Sequence, residues 1–124
     1  MDASAVMALI YNEPGADLVR AHLHKGTISA VNYAEVITKL VERSLPLTEA
    51  IRLIAMLKLT IVDFTEARAV RSAMLRPLTR SAGLSFGDRV CLALGAELGA
   101  DILTADRPWA AIGEAVGAKI VLIC

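Results

Sequence analysis

Four short runs rich in β-branched and aliphatic residues, Thr27–Ser29, Thr60–Asp63, Asp101–Thr104 and Lys119–Ile123, alternate with stretches of helical period. Such alternation implies an α/β chain whose parallel sheet is covered by helices on both faces. The spacing predicts a helix whose apolar face is Val31, Ala34, Ile37, Leu40 and Val41, ended by Ser44 and Pro46. Thr48 is expected to cap a second helix carrying Ile51, Leu53, Ile54 and Leu57, and Thr65 a third that runs to about Arg76, before Pro77. From Gly87 to Gly99 the sequence is apolar on nearly every side, the mark of a helix buried between layers. A last helix is expected from Arg107 to Val116, with Gly117 at its end. No repeat or linker interrupts residues 1–124, so one domain is expected. The start is unusual, because Met1-Asp2-Ala3-Ser4 opens directly into helical sequence with almost no strand before it. If a strand ordinarily precedes Asp2, it is truncated here.

Composition narrows the function. Hydrophobic residues make up 56% of the chain and aromatic ones 4%, so the core is aliphatic and the chain is too apolar to be disordered. No apolar run approaches the roughly 18 to 20 residues that cross a bilayer, and the N-terminus lacks the basic-then-apolar order of a signal peptide. Cys91 and Cys124 fit a reducing compartment, and the expected location is cytoplasmic. Lysine plus arginine equals aspartate plus glutamate at 13 each, which argues against nucleic-acid binding by bulk charge alone. It leaves room for local basic groups: Arg68, Arg71, Arg76 and Arg80 fall within one short stretch, and the planar guanidinium suits phosphate.

In open α/β sheets function gathers at the carboxyl ends of the strands. Asp2 and Asp106 hold such positions, Asp88 opens the buried helix, and Glu35 lies one turn into the helix after Thr27–Ser29. Four carboxylates at one edge repel one another unless a cation or a shared proton relieves them. Oxygen-only donors suit Mg²⁺ or Mn²⁺. Each acid also has a purely structural reading. Asp2 or Ser4 can cap the first helix, and Asp106 the helix containing Pro108. Ser85 with Asp88 fits a capping box. Glu35 stands four residues before Lys39, the spacing of a surface ion pair. Spacing alone does not bring the four together.

Four segments do so by resemblance. Asp2-Ala3-Ser4-Ala5, Ser29-Ala30-Val31-Asn32-Tyr33-Ala34-Glu35-Val36, Leu84-Ser85-Phe86-Gly87-Asp88-Arg89 and Leu103-Thr104-Ala105-Asp106-Arg107-Pro108-Trp109 resemble, in order, the signature blocks of VapC-type PIN-domain toxins. The resemblance implies a three-layer α/β/α sandwich around a central parallel sheet. Asp2, Glu35, Asp88 and Asp106 would be its catalytic and metal-binding acids, with Ser4 and Thr104 supporting them. It implies an endoribonuclease that uses Mg²⁺ or Mn²⁺ on structured RNA such as tRNA or ribosomal RNA. It also implies a VapB-type antitoxin that blocks the site, and a homodimer. Arg89 and Arg107, each directly after an acid, are candidate contacts to RNA or antitoxin, and Trp109 a candidate for base stacking or for packing beneath the site. The alternative is a catalytically impaired PIN fold that acts only by binding its antitoxin. A haloacid-dehalogenase-type phosphatase is disfavoured, because Ser4 stands where that chemistry needs a second Asp, and there is no phosphate-binding glycine loop.

Overall fold

The computed structural model describes residues 1–124. In chain order the elements are α1 (Ala3–Ile10), α2 (Ala16–Ala21), a 3₁₀ turn (Leu23–Lys25), β1 (Thr27–Ser29), α3 (Ala30–Glu42), α4 (Leu47–Met56), β2 (Thr60–Val62), α5 (Glu66–Met74), α6 (Arg76–Thr79), a 3₁₀ turn (Arg80–Ala82), α7 (Phe86–Leu98), β3 (Asp101–Thr104), α8 (Trp109–Val116) and β4 (Lys119–Leu122). All four expected strands form, with Asp63 and Ile123 just outside them. No helix is long and apolar enough to cross a membrane.

The strands pair in parallel as β1 with β2, and β3 with β4. Between β1 and β3 lies only the start of the chain. The Met1 amine donates to Thr27 O (2.7 Å), and Asp2 N–H donates to Leu103 O (3.1 Å). Met1 and Asp2 therefore link the two parallel pairs through backbone hydrogen bonds.

Side chains alternate across this sheet and define the layers. Ile28 packs with Val6, Val36, Leu40 and Ile54, and Leu103 with Ala5, Leu9 and Val19, so α1 to α4 cover one face. Ile102 points the other way, against Leu92, Trp109 and Ile112 of α7 and α8. Buried Gly95 lets α7 lie close on β3, since a Cβ there would collide with the Ile102 side chain. Leu92 is fully buried beneath that contact, and truncating it to Ala would cost about 2–5 kcal/mol.

Three helix readings are corrected. The buried face of α3 is Asn32, Val36 and Leu40, while Val41 is exposed and Val31 and Ile37 only partly covered. A polar Asn in a core position had turned the apparent stripe. The N-cap of α4 is Pro46, and Thr48 makes no capping hydrogen bond. α8 begins at Trp109, after Pro108, rather than at Arg107. Thr65 does cap α5, accepting from Arg68 N–H, but α5 ends at Met74 and Pro77 sits inside the separate α6. α2 has no counterpart among the sequence expectations.

Candidate active site

Asp2 is only 5% exposed, so its charge needs hydrogen bonds to be tolerated. Its Oδ2 accepts from Ser4 Oγ (2.5 Å) and Thr104 Oγ1 (2.8 Å). These hydroxyls in turn accept from the chain beyond β3: Ser4 Oγ from Ala105 N–H and Thr104 Oγ1 from Asp106 N–H, each at 3.0 Å. Thr104 is fully buried at the carboxyl end of β3. The two hydroxyls thus tie Asp2 to the loop carrying Asp106. Asp2 occupies the N-cap position of α1 by backbone, yet its carboxylate makes no cap bond. The capping reading of Asp106 fails in the same way. Its Oδ2 accepts from the indole Nε1 of Trp109 at 3.0 Å, and Trp109 is fully buried beneath it, which places the ring in packing and not in stacking on a base.

Asp88 and Glu35 come from α7 and α3. The capping box forms: Asp88 N–H donates to Ser85 Oγ (3.2 Å), and Asp88 Oδ2 accepts from Ser85 N–H (2.9 Å). That fixes the first turn of α7 and holds one carboxylate oxygen of Asp88. In place of the expected pair with Lys39, Glu35 turns toward α7. Its Oε1 accepts from Asn32 Nδ2 (2.7 Å), and the same nitrogen donates to Gly87 O (3.0 Å). The Glu35 carboxylate lies directly over Gly87, where an added Cβ would stand 2.5 Å from Oε2.

The electrostatics bring Asp88 under the influence of Asp2 and Asp106. Burial pushes the Asp88 carboxyl above its ordinary value; hydrogen bonds from Ser85 oppose this, and the charges of Asp2 and Asp106 add to it. Burial likewise drives the Cys91 thiol up to about 12, with Asp2, Asp88 and Glu35 contributing. The network also treats the four carboxylates alike. One oxygen of each accepts hydrogen bonds, Asp2 Oδ2, Glu35 Oε1, Asp88 Oδ2 and Asp106 Oδ2, and the other accepts none. Nowhere do three His, Cys, Asp or Glu side chains close into a ready-made metal cage. Mg²⁺ does not require one, since it commonly binds through one or two carboxylates and keeps waters for substrate phosphate to replace. An all-oxygen donor set from Asp2, Asp88, Asp106 and Glu35 fits the chemistry of such an ion.

The arginines divide. Arg89 is drawn inward, donating to Ser72 O (3.4 Å) with its guanidinium beside Phe86, so it lies between α5 and α7. Arg107 is exposed next to Asp106. Arg68 and Arg71 both bind Glu97 of α7, which leaves only Arg76 and Arg80 of that group outside ion pairs. Lys39 and Arg43 lie one and two turns beyond Glu35, and with Ser4 and Ala105 they line a groove beside the acids. Arg43 stacks over Tyr11 at 4.2 Å. Asn32 and Gly87 were not singled out from sequence. The available signal was a polar residue at helical spacing with Val36 and Leu40.

The sequence model of the PIN domain family matches residues 1–115. No curated protein and no solved structure matches the chain.

Proposed function

The chain belongs to the PIN domain family, whose members are typically metal-dependent nucleases, and on that premise we propose that it is a Mg²⁺- or Mn²⁺-dependent endoribonuclease. In this reading it is the toxin half of a VapBC-type toxin–antitoxin pair, acts on structured RNA such as tRNA or ribosomal RNA, and works as one domain over residues 1–124. The observation that carries the reading is the pairing of the acids: Ser4 and Thr104 tie Asp2 to the loop of Asp106, and the Glu35 carboxylate lies over Gly87, next to Asp88.

A bound divalent ion would supply Lewis-acid charge and lower the pKa of a water near the scissile phosphate. The protein's own part is positional. Asp88 and Asp106 are the first candidates to hold the ion, Asp2 the third and Glu35 the fourth, directly or through the water it orients for attack. Ser4 and Thr104 keep the Asp2 carboxylate aimed by occupying its Oδ2. In-line attack would leave a 5′-phosphate and a 3′-hydroxyl. Lys39 and Arg43 would meet the phosphates flanking the cut, and Arg107 those on the Asp106 side.

The chain also exposes apolar side chains at helical spacing, Val70, Met74 (68% exposed) and Leu78. A cognate VapB-type antitoxin or a second copy in a homodimer would cover such a surface.

The deciding experiment incubates antitoxin-free protein with cellular RNA in EDTA, Mg²⁺ or Mn²⁺, beside Asp88→Asn. Discrete cleavage that needs metal and vanishes in the variant is the expected result. Folded wild-type protein that cleaves nothing across metals and RNA classes would leave binding as its only role.

A further inference from the structure

Asn32 is fully buried on the core face of α3, in line with Val36 and Leu40. Asn is a poor helix former, and an apolar residue would fill this position without polar atoms to satisfy. Its Nδ2 serves two acceptors at once, Glu35 Oε1 (2.7 Å) and Gly87 O (3.0 Å). Both partners are acceptor oxygens, one of the Glu35 carboxyl and one of the Gly87 carbonyl, so turned over, the amide would set its own oxygen against two others. As the amide stands, Asn32 Oδ1 is buried and finds no partner. A buried acceptor left unpaired is a cost that calls for a reason. Here the side chain forgoes its own full set of hydrogen bonds to hold a carboxylate of one helix against the first turn of another.

We infer that Asn32 is the positioning residue for Glu35. Its amide clamps the Glu35 carboxylate to the Gly87 carbonyl and so sets the span between Glu35 on α3 and Asp88, the next residue of α7. Gly87 completes the clamp, because a side chain there would occupy the space of the Glu35 carboxylate. The role rests on the metal-dependent nuclease reading, in which those two acids share an ion. Partners that orient metal ligands in this way typically contribute about 10- to 100-fold in metal affinity or activity.

The test measures Mn²⁺ binding by electron paramagnetic resonance on RNA-free protein, alongside cleavage kinetics. Asn32→Leu keeps the branched shape, is somewhat bulkier, and removes both donors; Asn32→Ser, smaller and still polar, carries the test if the leucine variant does not fold by circular dichroism. Mn²⁺ affinity is expected to fall about 10- to 100-fold. The kcat should fall with it while KM for RNA stays within about twofold, in variants whose folded fraction by circular dichroism equals that of wild type. In a Glu35→Ala background the Asn32 substitutions should add no further loss, because the residue acts through Glu35. A folded Asn32 variant that binds Mn²⁺ as wild type does, or losses that simply multiply in the double variants, would overturn the positioning role alone. Wild-type protein that binds no Mn²⁺ would overturn the nuclease reading and this role with it.

Discussion

The indole Nε1 of Trp109 donates to Asp106 Oδ2 across 3.0 Å, so the chain's one tryptophan is bonded directly to a candidate metal ligand. Trp109→Phe keeps most of the buried ring and deletes the donor. Lost hydrogen bonding should cost about 0.5–1.5 kcal/mol of stability, and the freed Asp106 should lower kcat about 10- to 100-fold. In the unaltered chain, Mn²⁺ bound at the acids should quench this tryptophan's fluorescence, and Mg²⁺ should compete the quenching away. A Mn²⁺ titration that leaves the emission unchanged would separate Trp109 from the metal site.

Removing the charge of Asp88 should stabilise the metal-free protein while abolishing activity. Burial raises this carboxyl above its ordinary value, so the folded chain holds the proton more tightly than the unfolded chain does. Below the unfolded value, about 3.9, both states carry the proton and there is no penalty. The penalty grows as pH rises from there toward the folded value, and it is complete above it. Asp88→Asn should therefore melt higher than wild type at pH 7 in EDTA. The gap should close near pH 3. A variant that melts lower at pH 7 would mean that the Ser85 cap outweighs burial.

Lys39 and Arg43 should govern RNA binding and not the chemical step. Replacing both by Ala is expected to raise KM, leave kcat nearly unchanged and flatten the salt dependence of binding by about 0.7 in the log–log slope per lost phosphate contact. An unchanged slope would move the RNA path away from the Arg43–Tyr11 side of the groove.

Of the two thiols, Cys124 is exposed and Cys91 is buried with its pKa pushed up to about 12. Thiolate is the reactive form, so native protein treated with iodoacetamide at pH 8 should take up one label, on Cys124, by peptide mass spectrometry. Denaturant should expose the second. Native labelling at Cys91 would show that the acidic edge opens to its floor.

Much of the fold was legible because it depends on local signals. The four strands, the Thr65 cap and the Ser85–Asp88 capping box are read from residues a few positions apart. The α3 face was not, because a hydropathy stripe counts Asn32 as solvent-facing when it is buried for the sake of Glu35. Spacing also could not say where the acids turn. Asp2, Asp106 and Glu35 each had a nearby structural partner in sequence, and each instead bonds elsewhere: to Thr104, 102 residues away, to the Trp109 indole, and to Asn32 over Gly87. The family resemblance named the acids and the supporting Ser4 and Thr104; the Asn32 amide and the Trp109 indole that hold Glu35 and Asp106 became apparent only in three dimensions.

Backbone hydrogen bonds from Met1 to Thr27 and from Asp2 to Leu103 link β1 to β3. The acids straddle this junction: Glu35 follows β1, Asp106 follows β3, and Asp2 sits on the join. A cation held by these acids would act as a rivet across the two strand pairs. If the proposed ion binds there, amides beside the junction, such as those of Asp2 and Asp106, should lose hydrogen-exchange protection together when it is withdrawn.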